Sequence, residues 1–245
     1  MDIEDKKHPI ITFLVPVYNE RNTILSVLER LDRFADHHET IVVDDGSTDG
    51  TRDILKNLNR PGIQILYHER NAGKGASIRT GLEHAQGTYV AIQDADLEYD
   101  PLQYASLLYK ANQENSPVVF GSRFLKTNPA IYNRFLWGNK IITAWINLCG
   151  HLHLTDSYTC FKLIRRDLFL DLRLTSRGFE METEICMKLA RRGVSISEVP
   201  ISYTPRRIDE GKKIGWKDAF KGAWTALKIR LSPMANDTWN KIMAG

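Results

Sequence analysis

Four times in its first 112 residues the chain repeats one unit: a short aliphatic run, a knot of polar residues and glycine, then a stretch with helical spacing. The aliphatic runs are Ile10 to Val15, Thr40 to Val43, Ile63 to Tyr67 and Thr88 to Gln93, with a fifth at Val118 to Phe120. The stretches after the first four, Glu20 to Phe34, Thr51 to Leu58, Gly75 to Ala85 and Pro101 to Asn112, read as helices; in the first, Ile24, Val27, Leu28 and Leu31 make one apolar stripe. Strands separated by single helices build a mostly parallel sheet with helices on both faces. Ligands in such α/β folds bind outside the carboxyl ends of the strands.

The second half is less regular. Its pattern predicts helices at Arg134 to Cys149, Glu180 to Arg192 and Trp216 to Leu231, and strands at Phe161 to Ile164 and Ser195 to Ile201. In the last helix Phe220, Ala223, Trp224, Leu227 and Leu231 share one face, which core packing explains and which, with the Arg134 to Cys149 segment, is also the best surface for meeting a bilayer. With no repeat, low-complexity tract or Gly/Pro/Ser-rich linker, residues 1–245 read as a single domain whose second half, about 122–245, completes the first, about 10–121.

Composition narrows the class. A chain of 245 residues, 42% hydrophobic and 26% charged, is neither disordered nor collagen-like, and three cysteines do not staple a secreted module. Cys149, Cys160 and Cys186 are odd in number and lack C-x-x-C spacing, so a reducing cytoplasm is expected. The longest uncharged stretch, Ile141 to Thr155, is fifteen residues, short of the ~20 a membrane crossing needs. The net charge of +3 is uneven: from residue 200 onward nine Lys or Arg face four Asp or Glu, and no acid lies between Glu114 and Asp156. Basic residues interleaved with Phe135, Trp137, Ile141, Ile142 and Trp145 fit an anionic partner with an apolar part, such as a membrane surface. Solvated basic faces beside core helices are the plainer reading. No base-recognition motif points to nucleic acid.

Polar residues collect where the strands end: Pro16-Val17-Tyr18-Asn19-Glu20, Asp44-Asp45-Gly46-Ser47-Thr48-Asp49-Gly50, Asn71-Ala72-Gly73-Lys74-Gly75 and Gln93-Asp94-Ala95-Asp96-Leu97-Glu98. Each alone could be a turn or cap. Four in succession form a site. Asp94 and Asp96, two residues apart on a chain leaving a strand, project to one side and repel unless a cation sits between them. Mg²⁺ or Mn²⁺ that also takes diphosphate oxygens answers that need. Tyr18 offers a flat face, Glu20 and Asp45 offer acceptors, and Pro16 and Val43 offer apolar walls for a nucleoside.

In this order the motifs resemble glycosyltransferase family 2, whose members have the GT-A fold and use nucleotide-activated sugars. Gly121-Ser122-Arg123 and Glu198-Val199-Pro200-Ile201-Ser202-Tyr203 resemble its dolichyl-phosphate mannose synthase branch. The resemblance runs from about Ile10 to Lys213. It implies that Pro16, Tyr18, Glu20, Val43 and Asp45 hold the nucleoside, with Lys74, Asp94 and Ala95 also on the donor. It implies that Asp94 and Asp96, with Glu98, serve the metal, and that Arg123 and a later pair, Arg206 or Arg207 with Lys212 or Lys213, grip phosphates. Arg134 is implied for an acceptor phosphate. The sequence departs from the branch at Glu98, where Gln is usual, and at Asp156 to Lys162, which replaces a Thr-Ser-Gly-Phe segment. The donor is thus expected to be GDP-mannose or UDP-glucose.

The implied reaction inverts the anomeric carbon by direct displacement, with Asp96 and Arg123 central. A polyprenyl or dolichyl phosphate acceptor is largely dianionic at neutral pH and needs cations rather than a base. A saccharide hydroxyl needs a base, for which Glu182 or Glu184 is positioned in sequence, although acids at a helix start also simply favour its positive end. A nucleotidyltransferase would carry a basic Gly-rich loop after the first strand, which Pro16 to Glu20 is not. A binding module without catalysis would have lost the Asp pair. His151 and His153 lack a third ligand and read as structural, and Cys160 as a packing residue. With a lipid acceptor and no spanning helix, the expected place of work is the cytoplasmic face of a membrane.

Overall fold

The computed structural model describes residues 9–128, 133–205 and 216–233, without the side chains of residues 133–136 and 216–217. Arg206, Arg207, Lys212 and Lys213, and the side chain of Arg134, lie outside the described residues. The elements in chain order are β1 (Ile11–Val17), α1 (Ile24–Leu31), β2 (His38–Asp44), α2 (Thr51–Lys56), β3 (Ile63–Tyr67), α3 (Lys74–His84), β4 (Tyr89–Ile92), a 3-10 turn (Pro101–Gln103), α4 (Tyr104–Glu114), β5 (Val118–Ser122), α5 (Asn133–Gly150), β6 (Lys162–Arg165), α6 (Arg166–Asp171), α7 (Met181–Arg191), β7 (Ser197–Pro200) and α8 (Trp216–Leu231).

The seven strands of the described residues form one sheet in the order β3-β2-β1-β4-β6-β5-β7. Five neighbouring strands would make the parallel sheet that the sequence pattern predicts, but β6 runs antiparallel to both β4 and β5. It enters the sheet from the second half and separates two strands of the first. The period-2 alternation sorts side chains onto two layers. Leu14, Ile41, Val43, Val90 and Ile92 face the layer containing α3, α5, α7 and α8. Phe13, Val15, Val42 and Ala91 face the opposite layer with Ile24, Val27, Leu28 and Leu31 of α1 and Tyr104 and Leu107 of α4.

Two local differences from the sequence reading have clear causes. Helix α1 starts at Ile24 rather than Glu20, because Asn19 sits at φ 55° and the Glu20 amide donates to Thr51 Oγ1. The Pro101 segment begins as a 3-10 turn capped by Asp100 before α4 continues to Glu114, where Asn115 at φ 48° ends it. The sequence allows the apolar face of α8 either core packing or a lipid-facing surface, and the structure leaves its large side chains exposed. Gly222 and Ala226 are buried, whereas Phe220 is 70%, Trp224 61% and Leu231 73% exposed. Small residues win the core because a Cβ at Gly222 would strike the Tyr158 hydroxyl, so α8 lies too close for bulk on that side.

Candidate active site

Strand order runs from β1 through β2 to β3 in one direction and from β1 to β4 in the other. The carboxyl ends of β1 and β4 therefore lie side by side at the switch point, where α/β sheets of this kind form their ligand crevice. The loop after β1 is laced to the loop after β2: Asn19 N donates to Ser47 Oγ at 3.0 Å, Thr48 N to Asn19 Oδ1 at 2.8 Å and Arg21 N to Asp49 Oδ2 at 3.1 Å. Thr23 Oγ1 then ties Glu20 Oε2 (2.9 Å) to the carbonyl of Ala95 (2.8 Å), joining this loop to the one after β4. Pro16, Tyr18 and Glu20 are half-buried at this junction.

Two expected nucleoside residues are differently engaged. Val43 is buried in the core with Leu14 and Ile78 and would touch a Cβ placed on Gly81, so its side chain packs under α3 rather than lining a pocket. Asp45 is 3% exposed and staples the third loop, accepting from Ala72 N at 2.9 Å and Gly73 N at 2.8 Å and facing His68 Nδ1 at 2.7 Å. The staple delivers Lys74, the first residue of α3, into the crevice. Gly73 makes this possible: at φ +97° its backbone passes so near the Arg177 carbonyl that a Cβ would collide with it.

Lys74 Nζ lies 2.7 Å from Asp94 Oδ1 and 3.6 Å from Glu182 Oε1. The other oxygen of Glu182 takes the ammonium of Lys162, a side chain with no exposed surface that also donates to the carbonyls of Ser157 and Thr159. Four charges thus alternate in sign through a nearly dry space. Burial alone would lower the Lys74 pKa, but the carboxylates of Asp94 and Glu182 outweigh it and hold the ammonium protonated. Cys160 borders the same space, and burial pushes its thiol well above its ordinary value, so it packs as a thiol and not as a nucleophile. Asp96 Oδ1 accepts from Glu98 N at 3.0 Å, and Glu98 Oε2 accepts from the Tyr203 hydroxyl at 3.1 Å.

Among the described residues no three or more His, Cys, Asp or Glu converge as a preformed metal cage. The donor set nevertheless fits a hard cation. Mg²⁺-type sites use one or two carboxylates and complete their shell with phosphate oxygens and water, and Asp94 already holds a cation in the form of Lys74.

Arg123 follows β5 and meets Asp156, which approaches with both oxygens: Nε to Oδ2 at 2.7 Å and Nη2 to Oδ1 at 2.8 Å. The Tyr203 ring lies 5.2 Å from the guanidinium. Glu198 holds the backbone of this segment, accepting from Thr155 N at 2.8 Å and Asp156 N at 3.1 Å. The two candidate bases are both spoken for. Glu182 is 2% exposed and faces two lysines, and Glu184 accepts from Thr175 N and Ser176 N while pairing with Lys188 at 2.6 Å. Glu184 thereby pins the 175–178 loop against the start of α3.

Sequence reasoning passed over His68, Asp156, Lys162 and Tyr203. Asp156 and Lys162 stood inside the segment that departs from the synthase branch, and a buried Asp and Lys there were the available signal. His68 carried none, since only the β2–β3 pairing brings it to Asp45.

Residues 12–173, more than half of the chain, match Glycosyl transferase family 2. The chain is 32% identical over 200 residues to Glycosyltransferase AglJ of Haloferax volcanii, covering 80% of this chain and 63% of that protein. It is 25% identical over 212 residues to the Dolichol-phosphate mannosyltransferase of Pyrococcus furiosus, covering 84% and 59%. It therefore spans about three fifths of the length of each. In fold it is similar to glucosyl-3-phosphoglycerate synthase from Mycobacterium tuberculosis, solved in complex with Mn²⁺, uridine diphosphate and phosphoglyceric acid (TM-score 0.68, 20% identity, 95% and 82% of the two chains). With its strand-end motifs gathered at one switch point of a GT-A sheet, the chain belongs to glycosyl transferase family 2.

Proposed function

We propose that this enzyme moves a hexose from a nucleotide-sugar, GDP-mannose or UDP-glucose, to a polyprenyl or dolichyl phosphate at a membrane surface, on its cytoplasmic face. The carrying observation is the pair of aromatic stripes left in solvent. Trp137 (62% exposed), Ile141 (67%), Trp145 and Leu148 recur at helical spacing on α5, and Phe220, Trp224 and Leu231 on α8. The helices adjoin, since Trp145 Nε1 donates to the Ala223 carbonyl at 3.1 Å. Lys140, Lys221, Lys228 and Arg230 accompany the stripes, α5 has no acid and α8 only Asp218. An apolar band with basic neighbours suits an anionic lipid interface. No helix among the described residues is long and apolar enough to cross a membrane.

The displacement breaks the bond from the anomeric carbon to the donor diphosphate and forms one to an acceptor phosphate oxygen, releasing the nucleoside diphosphate. Pro16, Tyr18, Glu20 and Asp45 frame the nucleoside end, Asp45 through the loop it staples, and Ala95 fixes the neighbouring backbone. Asp94 and Asp96 would hold Mg²⁺ or Mn²⁺, with Glu98 bridging to Tyr203. When bound, the ion neutralises charge on the departing diphosphate. Arg123, Arg134 and the Arg206–Lys213 segment supply cations for phosphates. The commitment of Glu182 and Glu184 to lysines favours a phosphate acceptor, which needs no base, over a saccharide hydroxyl.

The relatives' names bear on both the sugar and the acceptor. The Pyrococcus protein is named for dolichol phosphate, and the mycobacterial synthase was solved with UDP-glucose and phosphoglyceric acid. The test is transfer of labelled hexose from each donor, with Mn²⁺ or Mg²⁺, to polyprenyl phosphate in anionic vesicles, beside vesicle flotation at low and high salt. Lipid-linked product with salt-sensitive flotation is expected. Transfer to a soluble saccharide without vesicle binding would overturn the proposal in favour of Glu182 or Glu184 as a base.

A further inference from the structure

Glu182 Oε1 is buried and has no hydrogen-bond partner among the described residues, yet it lies 3.6 Å from the Lys74 ammonium. The other Glu182 oxygen is held by Lys162, so the carboxylate cannot turn away to solvent. Leaving a buried acceptor oxygen unmet is costly, and such atoms in folded proteins ask for an explanation. Lys74 is bonded instead to Asp94, on which the metal reading of the site rests. A shift of about 1 Å would carry Nζ from Asp94 into hydrogen-bond range of Glu182 Oε1.

We propose that Lys74 is a resident cation of the donor-free enzyme: it occupies the Asp94 carboxylate and passes to Glu182 Oε1 when a divalent cation takes Asp94. This deepens the metal reading and rests on it. Without such a transfer, a divalent ion arriving at Asp94 would either meet the ammonium as a like charge or expel it from a space where Lys74 is 12% exposed and Glu182 3% exposed. The orphaned oxygen removes that conflict. It receives the charge, completes its own hydrogen bonding and keeps the ammonium within the crevice. The Gly73 and Asp45 staple fixes the backbone from which Lys74 reaches, and Phe179 lies 5.8 Å from Nζ as a second wall against solvent. Lys74 is thus a positioning residue that sets how tightly the site takes its metal, and Glu182 is its receiver rather than a base.

The test is titration of the full chain with Mn²⁺ alone, followed by the electron-paramagnetic signal of free Mn²⁺, on wild type, Lys74→Met, Glu182→Gln, the double variant and Asp96→Asn. Lys74→Met should bind Mn²⁺ about tenfold more tightly, and Glu182→Gln about tenfold more weakly, because the ammonium then lacks its landing site. In the Lys74→Met background the Glu182→Gln change should be much smaller. Equal Glu182→Gln effects in both backgrounds, or unchanged affinity in Lys74→Met, would overturn the transfer while leaving the metal site standing. Wild-type affinity in Asp96→Asn would overturn the metal reading itself. Should Glu182→Gln fail to fold because Lys162 loses its partner, Lys74→Met alone decides the matter, since competition requires that its affinity rise.

Discussion

Asp156 grips Arg123 through both carboxylate oxygens while having no exposed surface of its own, and Glu198 in turn holds the Asp156 amide. The pair links β5 to the segment before β6 and fixes the guanidinium beside the Tyr203 ring. Burial disfavours the charged guanidinium, but Asp156 outweighs it and keeps the Arg123 pKa well above its ordinary value. Removing one member of a buried pair leaves the other uncompensated, so Asp156→Ala should lose about 3–5 kcal/mol in urea unfolding. Arg123→Lys keeps the charge but not the fork, and kcat/KM for the donor should fall roughly 100-fold with a smaller loss of stability.

The carboxylates after β4 make a different prediction. Asp96→Asn should abolish metal-dependent turnover with only a small change in unfolding midpoint, because Asp96 is half-buried and the isosteric amide keeps an oxygen for the Glu98 N–H. Activity titrated with Mn²⁺ is the measurement, and wild-type turnover in this variant would remove Asp96 from the metal site.

Glu184 sets an acid limit on stability. Burial would raise its pKa, but Lys188 and the Ser176 hydrogen bonds outweigh that and hold it below the ordinary value. A depressed folded-state pKa contributes stability above the unfolded value, near ~4.3, and loses it as pH falls through the folded value. Glu184→Gln should therefore be less stable than wild type at pH 7 by about 1–3 kcal/mol. The gap should close progressively below about pH 4.3 in denaturant titrations.

Gly73 cannot accept a side chain. Its positive φ and the Arg177 carbonyl beside it mean that Gly73→Ala should cost about 1–3 kcal/mol and displace Lys74. A thermal-shift titration with UDP and GDP should show weakened nucleotide stabilisation as well as a lower starting midpoint.

The exposed stripes offer a test that leaves the core alone. Trp137→Ser with Trp224→Ser should change stability by no more than about 0.5 kcal/mol, as surface substitutions usually do. Binding to anionic vesicles should fall roughly tenfold for each aromatic removed, since burying one in lipid is worth about 1.5–3 kcal/mol. Unchanged flotation would dismiss this face as the docking surface.

Much of the architecture was legible because its signals are local. Alternation of Phe13, Leu14 and Val15 across a strand, the stripe Ile24, Val27, Leu28 and Leu31 on a helix, and the polar knots between them follow from backbone periods of 2 and 3.6 residues. The direction of β6 was not legible, because a four-residue strand fits either orientation and its hydrogen-bond partners come from β4 and β5, more than forty residues away. For a related reason the sequence left α8 open between core packing and a lipid-facing surface. Its large side chains mark an apolar face, but Gly222 and Ala226 determine how closely it approaches its neighbours, and proximity decided the packing.

The sequence by itself determined that four polar loops lie at the carboxyl end of one sheet, and that two aspartates two residues apart follow β4. Only the tertiary structure decided whom each charge faces. Lys74 meets Asp94 across 20 residues, Glu182 meets Lys162 across another 20 and Arg123 meets Asp156 across 33. A carboxylate in a motif can serve as metal ligand, base, staple or receiver, and its role depends on the nearest opposite charge and the water left around it. Both are set by which strands become neighbours, a property of the whole sheet and not of any segment within it.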